Sequence, residues 1–483
     1  MVGTLGSRVT GLLRSVLMLR LFSPEVTDAF LVAWRVPNLF RELLAEGALT
    51  NSFVPIYKQL DREEGRRLAS ALFSLLFVVN ALLVALAVWA APWVVDLLLK
   101  EGSTVDFDLT VTLARVVFPF LAAISFSALA MGILNAEERF FAPAWAPVAF
   151  NVVTIALMLL YPGQATLLAV AFVLGGVAQL VVQIPALVSN DVLPYLGVWW
   201  HERLRRVLTL MAPFAFTTGA RQVLNVIAIW SLSSLAQGSV SAFEAANLVF
   251  TLALGLFSVS PSLSYYSRLS ADAVENPGEF VRTLQSGLRF ITFLTVPTGL
   301  YFFVFAEPII STLFPGIDQT VTRLSIVALA PLGLAVFPWG VNNFLVRPFY
   351  VRERVRPPVA ISVVFVSLNA VLYALLAPRY GIAGMSWATV VVGWAQLGVL
   401  LYWNRRDEAL PLMRFGGYGL RVWGASLGAV LAAYATVLLT FPEGWLGAVL
   451  RVGSSGLLLA TTYAALCYLF GVPIGHLLGR LWR

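Results

Sequence analysis

Residues 5–46 read LGSRVTGLLRSVLMLRLFSPEVTDAFLVAWRVPNLFRELLAE, two apolar stretches that carry an unusual number of charged side chains. Among these are Arg8, Arg14, Arg20, Asp28, Arg35, Arg41, Glu42 and Glu46. Charge inside hydrocarbon is costly, so we expect such residues to face a protein-lined cavity that water can reach. Because guanidinium grips phosphate through paired hydrogen bonds, the excess of arginine predicts a cavity for an anion, most plausibly a phosphate.

The composition of the whole chain predicts a polytopic membrane protein. Of its 483 residues 59% are hydrophobic and 12% are charged, and the mean hydropathy is +0.85, whereas a soluble domain is about a quarter charged. The single cysteine, Cys467, excludes a disulfide framework, and His201 and His476 lie too far apart for a local metal motif. We therefore predict no cofactor. The net charge of +7 is explained by arginine in cytoplasmic connections, so no nucleic-acid partner is predicted.

Apolar segments of about twenty residues predict fourteen transmembrane helices. If the N-terminus is cytoplasmic, nineteen Lys and Arg residues fall in the even-numbered connections and the C-terminal tail. The odd-numbered connections hold only Lys100, Arg323 and Arg379. This positive-inside asymmetry predicts that both termini are cytoplasmic.

The chain also repeats itself. The segment GGVAQL at 175–180 returns as VGWAQL at 392–397, and Pro119, Asn151 and Gly163 have counterparts in Pro331, Asn369 and Gly381, at an offset of about 212–218 residues. Six predicted spans separate the copies, so both copies have the same orientation, which is typical of a transporter with parallel repeats. We predict an all-α fold with two six-helix lobes, residues 1–190 and 203–404, the substrate site between them, and two additional helices within 414–474.

Helical geometry places several polar residues of the first span together. At 100° per residue Ser7, Gly11 and Arg14 lie on one stripe, and Arg8 lies about 100° around from it. The stripe predicts a broad face of small and polar residues.

The second span, residues 26–56, has a different character. Asp28 and Arg35 share a face, and Pro37 is expected to kink the helix just before Arg41 and Glu46. A kink frees backbone carbonyls, which is tolerated only beside a cavity or another polar group.

The predicted substrate-binding residues are Arg8, Arg14, Asp28, Arg35, Arg41, Glu46 and, in the seventh span, Arg221. The alternative for Arg8, Arg14 and Arg35 is an internal ion pair with Asp28 or Glu46. Pairing and ligand binding are compatible.

The N-terminal motifs resemble those of a known family. The motifs are SRV at 7–9, TDAF at 27–30, PNL at 37–39, AEGA at 45–48 and FVP at 53–55, followed by PAWAP at 143–147 and by Phe349 and Tyr350. They resemble the MurJ/MviN family of lipid II flippases over nearly the whole chain. The Gly and Pro landmarks alone would fit any relative in the wider multidrug, oligosaccharidyl-lipid and polysaccharide exporter superfamily.

The resemblance implies a function. Members of that family move undecaprenyl-pyrophosphate-linked disaccharide pentapeptide, lipid II, from the inner to the outer leaflet of the bacterial inner membrane for peptidoglycan synthesis. The family's cavity arginines correspond to Arg8, Arg14 and Arg41, and its acidic residues to Asp28 and Glu46. The implied partners are lipid II, membrane lipids and cell-wall polymerases.

Two positions depart from the family pattern. Glu42 stands where the family often has a second arginine, and the eighth span reads ANLV at 246–249 where a cation is expected. Arg221 and Arg35 are candidates to supply the missing charge.

Two other classes of function remain open. A drug or polysaccharide-lipid exporter of the same superfamily would share the repeat, but cationic drugs favour an acidic cavity. A membrane enzyme would need clustered catalytic acids, for which Asp61, Glu63 and Glu64 are the best candidates. No P-loop motif occurs, so we expect transport to draw on an ion gradient, the membrane potential or consumption of the substrate on the far side. The two additional helices could form a groove for the lipid tail or could merely pack laterally.

Overall fold

The computed structural model describes residues 2–43, 49–275, 277–354, 356–408 and 412–472, and every regular element in these ranges is helical. The predicted all-α class is therefore confirmed. The chain forms two compact units, Met1–Ser241 and Ala242–Arg483.

Twelve helices begin in the described part of the first unit. They are α1 (Val2–Leu21), α2 (Pro24–Ala33), α3 (Arg35–Leu43), α4 (Leu49–Tyr57), α5 (Arg62–Leu98), α6 (Phe107–Val117), α7 (Phe120–Ala136), α8 (Phe141–Leu160), α9 (Ala165–Val181), α10 (Ile184–Ser189), α11 (Leu204–Ser233) and α12 (Ser239–Leu254). Helix α11 belongs to this unit, whereas the sequence repeat assigns it to the second lobe. The lobe boundaries at 190, 203 and 404 stay a prediction.

The second unit continues through a π-helical turn at Gly255–Val259. Its described helices are α13 (Ser260–Glu275), α14 (Pro277–Val304), α15 (Ala306–Leu313), α16 (Gln319–Leu345), α17 (Arg347–Val351), α18 (Arg356–Glu408), α19 (Leu412–Tyr434) and α20 (Trp445–Leu469). A short 3₁₀ turn, Ala435–Leu438, follows α19.

Ten helical segments within the described ranges are long and apolar enough to cross a membrane. One of them, Arg356–Arg406, is 51 residues long and covers two predicted spans. The first two predicted spans are not among the ten, because α1 carries three arginines and the second span is divided into three short helices. The count of fourteen stays a prediction.

The exposed surface of these helices is apolar. Helix α5 is strongly apolar, yet only 22% of its most apolar 18-residue stretch is buried. Its exposed side chains include Leu82, Leu86 and Trp89. A helix with this much exposed apolar surface is stable only in contact with lipid or another apolar surface. The chain is a multi-pass membrane protein.

The second predicted span breaks as its proline requires. Helix α2 ends at Ala33 and α3 begins at Arg35, two residues before Pro37. Proline has no N–H to donate to the carbonyl four residues earlier. The break therefore falls at Trp34, and it turns Asn38 and Arg41 onto a helix of their own.

The two copies of the repeat share backbone geometry. Gly163 and Gly381 both have a positive φ, of 76° and 59°, which favours glycine. Gly176 and Gly393 both lie where a neighbour leaves no room for a side chain: a Cβ would fall 2.6 Å from Phe120 and 2.7 Å from Trp339 respectively. Small residues at such positions let membrane helices approach closely.

Gly393→Ala should destabilise the second unit, because its methyl group would collide with the Trp339 ring, whose Nε1 donates to the Thr389 carbonyl over 3.0 Å. Overpacking of this kind costs about 1–3 kcal/mol, so the midpoint of thermal unfolding in detergent should fall by several degrees. The matched control is Gly398→Ala in the same helix, where nothing lies within 4 Å of the new Cβ. Equal midpoints for the two variants would contradict the close approach.

Candidate anion-binding cavity

Asn151 joins α1 to α8 at the centre of the first unit. Its side chain is only 4% exposed. The amide nitrogen donates to the Ser7 carbonyl over 3.2 Å and to Thr10 Oγ1 over 3.0 Å, and the amide oxygen accepts from Arg14 Nη1 over 3.1 Å. One buried side chain therefore fixes the two helices and the direction of the arginine.

Aromatic rings also surround Arg14. Its guanidinium carbon lies 5.1 Å from the ring centroids of both Phe150 and Phe172. Trp34 packs edge-on against Phe172 at 4.8 Å between centroids. Cation–π contacts of this kind stabilise a guanidinium away from bulk water, and the ring faces limit its rotamers.

A second polar cluster lies on α3 and reaches α11. Arg41 Nε donates to Asn38 Oδ1 over 2.9 Å, and Asn38 Nδ2 donates to Glu42 Oε1 over 2.8 Å. Glu42 also accepts from Gln222 Nε2, and Gln222 Oε1 accepts from Asn225 Nδ2 over 2.9 Å. Arg41 Nη2 is 3.9 Å from Glu42 Oε1. This network holds Glu42 through Asn38 and Gln222 and orients Arg41 through Asn38.

Both arginines line one cavity of about 440 Å³. Its walls are Ser7, Gly11, Arg14, Trp34, Asn38, Arg41, Ile124, Met131, Pro143, Ala144, Pro147, Phe150, Asn151 and Gln179. The predicted stripe of Ser7, Gly11 and Arg14 forms one wall, and the short helix after the Pro37 break supplies Asn38 and Arg41. The space has the volume of a small-ligand pocket and two cationic side chains.

The other predicted site residues lie elsewhere. Arg8 is exposed on α1, and Arg35 is half-buried at the start of α3; neither lines this cavity. Glu46 lies outside the described residues. Arg221 lies in α11, and its side chain is likewise outside the part of the chain that the structure describes.

Asp28 is buried and has a different set of partners. Its side chain is 2% exposed. Oδ2 accepts from the Gly238 amide over 2.6 Å, and Oδ1 accepts from the Ser241 amide over 2.8 Å and lies 2.6 Å from the Ser241 hydroxyl. The carboxylate thus meets the unpaired amides of the first turn of α12, where a negative charge is favoured.

Two of these features, the role of Glu42 and that of Asn151, are hard to recognise from the sequence. Glu42 was recognisable only as a departure from the family pattern, and its bond to Gln222 joins residues that are 180 positions apart. Asn151 stood out as a repeat landmark and not as a partner of Arg14. An amide next to Phe150 in a largely apolar span was the available signal.

The acidic cluster considered for an enzyme has ordinary structural partners. Asp61 caps α5 by accepting from the Glu64 amide over 2.9 Å. Glu63 and Glu64 form ion pairs with Arg67, and Glu64 also contacts His201 at 3.1 Å. These are the contacts of a solvated helix start.

The chain is similar to known proteins along most of its length. The family described as "Lipid II flippase MurJ" matches residues 20–459. The lipid II flippase MurJ of Burkholderia cenocepacia is 32% identical over 427 residues, which cover 84% of this chain and 82% of that protein. A probable lipid II flippase MurJ from Bdellovibrio bacteriovorus is 29% identical and covers 97% of this chain and 93% of that protein.

Solved structures share the fold. A lipid II flippase MurJ in an inward closed conformation has a TM-score of 0.82 at 22% identity and covers 97% of this chain and 98% of its own. A multidrug resistance MATE family transporter in an inward-facing conformation has a TM-score of 0.70 at 16% identity, with 83% and 94% covered.

Asp28→Asn should destabilise the first unit without any change in the cavity. The variant puts an NH₂ group where the carboxylate accepted from backbone amides, and one lost charge-assisted hydrogen bond costs about 1.5–3 kcal/mol. The midpoint of thermal unfolding in detergent should fall. Glu25→Gln, an exposed acid on the same helix, is the control and should leave it unchanged. A normal midpoint in Asp28→Asn together with lost transport would instead give Asp28 a direct role in transport.

Proposed function

Because the chain belongs to the MurJ family of lipid II flippases, it is a transporter and not an enzyme, and we propose that lipid II is its substrate. In this proposal the protein moves undecaprenyl-pyrophosphate-linked disaccharide pentapeptide from the cytoplasmic to the outer leaflet of the bacterial inner membrane by alternating access. The observation that carries the proposal is the cavity with Arg14 and Arg41 in its walls.

The physical problem is the headgroup. A polyprenyl tail can stay in lipid, whereas pyrophosphate and sugars cannot cross about 30 Å of hydrocarbon unaided. The protein has to shield only the polar part of the molecule. A cavity of about 440 Å³ offers room for the pyrophosphate and adjoining groups, while the rest of the headgroup remains outside it.

Arg14 is suited to be the fixed anion contact. Its hydrogen bond to Asn151 and the flanking rings orient the guanidinium before any ligand arrives, so little conformational entropy is lost on binding. The amide of Asn151 is neutral, and this bond therefore orients the arginine without cancelling its charge. A planar, always protonated guanidinium then matches two oxygens of a phosphate.

Arg41 is suited to be the exchangeable contact. Its approach to Glu42 is long, at 3.9 Å, and the two side chains are 34% and 23% exposed. Such pairs contribute less than about 1 kcal/mol, so a pyrophosphate can displace Glu42 and Glu42 can reclaim the arginine afterwards. We assign this releasing role to Glu42 and not to Asp28, because Asp28 is engaged with Gly238 and Ser241.

The remaining charged residues of the predicted site would act outside this cavity. Arg8, Arg35 and Arg221 would contribute positive charge along the path of the headgroup, with Arg221 in place of the cation missing from 246–249. Glu46 would be their acidic counterpart, whereas Asp28 would act indirectly, by holding the start of α12. None of these roles depends on a cofactor.

The energy source is a further part of the proposal. The pyrophosphate carries negative charge, and a potential that is negative inside favours its outward movement by about 2.3 kcal/mol per charge per 100 mV. An ion gradient is the second candidate, and no coupling ion is assigned. Polymerases that consume the product on the outer side would also pull transport forward, which makes them the expected functional partners.

The last two helices suit a path for the tail. On α19 Leu420, Leu427 and Leu431 are 77%, 49% and 71% exposed, and their spacing places them on one face. An exposed apolar stripe of this kind can lie along a polyprenyl chain while the headgroup moves. We propose a path for the lipid tail, and not mere lateral packing of these helices, because the described residues of the second unit leave this leucine stripe exposed.

Arg14→Ala and Arg41→Ala should each lower lipid II transport by more than about tenfold, because each removes charge-assisted hydrogen bonds worth about 1.5–3 kcal/mol. Arg14→Lys should rescue poorly, since a point charge cannot reproduce the planar fork. The measurement is translocation of labelled lipid II in proteoliposomes that contain the full chain.

Arg20→Ala is the matched control, because Arg20 is exposed in the last turn of α1 and does not line the cavity. It should transport normally. The unfolding midpoint of every variant verifies that the protein is intact. Full activity of either cavity variant would remove that arginine from the mechanism.

The proposed orientation, with both termini cytoplasmic, can be tested separately. After replacement of the buried Cys467, single cysteines at Glu101 and Glu443 should react in whole cells with an impermeant maleimide. Cysteines at Arg354 and Arg406 should react only after the cells are opened, because the arginine bias fixes these connections inside. External labelling at Arg354 would overturn the proposed topology.

A further inference from the structure

A second cavity of about 410 Å³ lies in the second unit, where the connection between α15 and α16 meets the connection that precedes α20. Two contacts hold the walls of this cavity together. The Pro442 carbonyl rests directly on Gly447, where an added Cβ would fall 1.7 Å from the oxygen. Trp445 Nε1 donates to the Thr312 carbonyl over 3.0 Å and joins the two connections.

Arg451 is the cationic side chain that lines this cavity. Its guanidinium carbon lies 5.7 Å from the Phe441 ring centroid. Its Nε is buried and has no hydrogen-bond partner, and no carboxylate among the described residues forms an ion pair with it. A buried cationic donor without an acceptor is costly. The position therefore favours an anionic ligand.

Two carboxylates are also part of the cavity wall. Glu307 and Glu443 line the same cavity and are exposed. Arg451 lies six residues along α20 from its first residue, Trp445, and hence about 9 Å further along the helix axis. Arg451 therefore branches from α20 deeper along the helix than Glu443, which precedes the helix.

We propose that this cavity binds the headgroup of a phospholipid that carries a phosphate and a primary ammonium group, such as phosphatidylethanolamine. In a leaflet the phosphate lies nearer the hydrocarbon and the ammonium nearer the water, which is the order of Arg451 and Glu443 along α20 and the connection before it. An ammonium group has three N–H donors for carboxylates. Exposed Leu446 and Leu450 on α20 offer apolar surface to the acyl chains.

The same chemistry excludes other common lipids. A choline headgroup has the same charges but no N–H donor for Glu307 or Glu443. A glycerol headgroup carries no positive charge that could pair with Glu307 and Glu443. The two carboxylates would therefore repel its phosphate. The inference is independent of the transported substrate, because it concerns only the second unit and the lipid around it.

The test is native mass spectrometry of the full chain, stripped of lipid and then offered equal amounts of phosphatidylethanolamine, phosphatidylcholine and phosphatidylglycerol with identical acyl chains. The protein should retain the ethanolamine lipid with a preference of about tenfold, the effect of one charge-assisted hydrogen bond. Millimolar inorganic phosphate should not displace it. Equal retention of the ethanolamine and choline lipids, or displacement by phosphate, would overturn the proposal.

Two variants locate the binding. Arg451→Gln and the double variant Glu307→Gln with Glu443→Gln should each abolish the preference, whereas Arg323→Gln, an exposed arginine of α16 outside the cavity, should retain it. The glutamates are exposed, so their replacement leaves the fold intact even where Arg451→Gln lowers the unfolding midpoint. A preference that survives the double glutamate variant would show that the lipid binds elsewhere.

Discussion

A guanidinium inside the membrane needs partners that hydrocarbon cannot provide, and the arrangement of the first unit follows from meeting that need for Arg14. Asn151 supplies an acceptor from α8, and Phe150 and Phe172 supply ring faces. The same Asn151 also bonds Ser7 and Thr10, so the residue that satisfies the arginine also fixes α1 against α8. Packing and site geometry therefore rest on one side chain.

This coupling explains why small residues surround the site. Helix α1 can approach α8 only where side chains are short, and Gly3 is so close to α8 that a Cβ would lie 2.6 Å from the Ala144 carbonyl. Gly11 lies opposite Asn151 at an ordinary contact distance of 3.6 Å. The absence of side chains along this stripe leaves the space that becomes the cavity.

Local sequence rules were enough for the parts of the fold that depend on one helix. The stripe of Ser7, Gly11 and Arg14 follows from helical periodicity, and the break before Pro37 follows from a missing N–H. The helical class and the matching turns at Gly163 and Gly381 were equally accessible, because each reflects local backbone chemistry or composition.

The contacts that join distant helices could not be predicted in this way. Asp28 was expected among cavity residues, yet it bonds amides more than 200 positions away at the start of α12. A carboxylate that pairs with an arginine on the same helix face and a carboxylate that caps another helix look alike in sequence. Which of the two occurs depends on which helix packs beside it, and that is a property of the whole fold.

The different surroundings of Arg14 and Arg41 have a consequence for transport. A transporter must bind its substrate on one side and release it on the other, so two rigidly held arginines would bind a pyrophosphate tightly and release it slowly. Arg14 is oriented by a neutral amide, whereas Arg41 sits beside a carboxylate that Asn38 and Gln222 keep in place. In the proposed function Glu42 competes with the ligand for Arg41, because its Oε1 lies only 3.9 Å from Arg41 Nη2. In that proposal the glutamate that departs from the family pattern weakens the binding of the anion at Arg41, so that release does not require Arg14 to move.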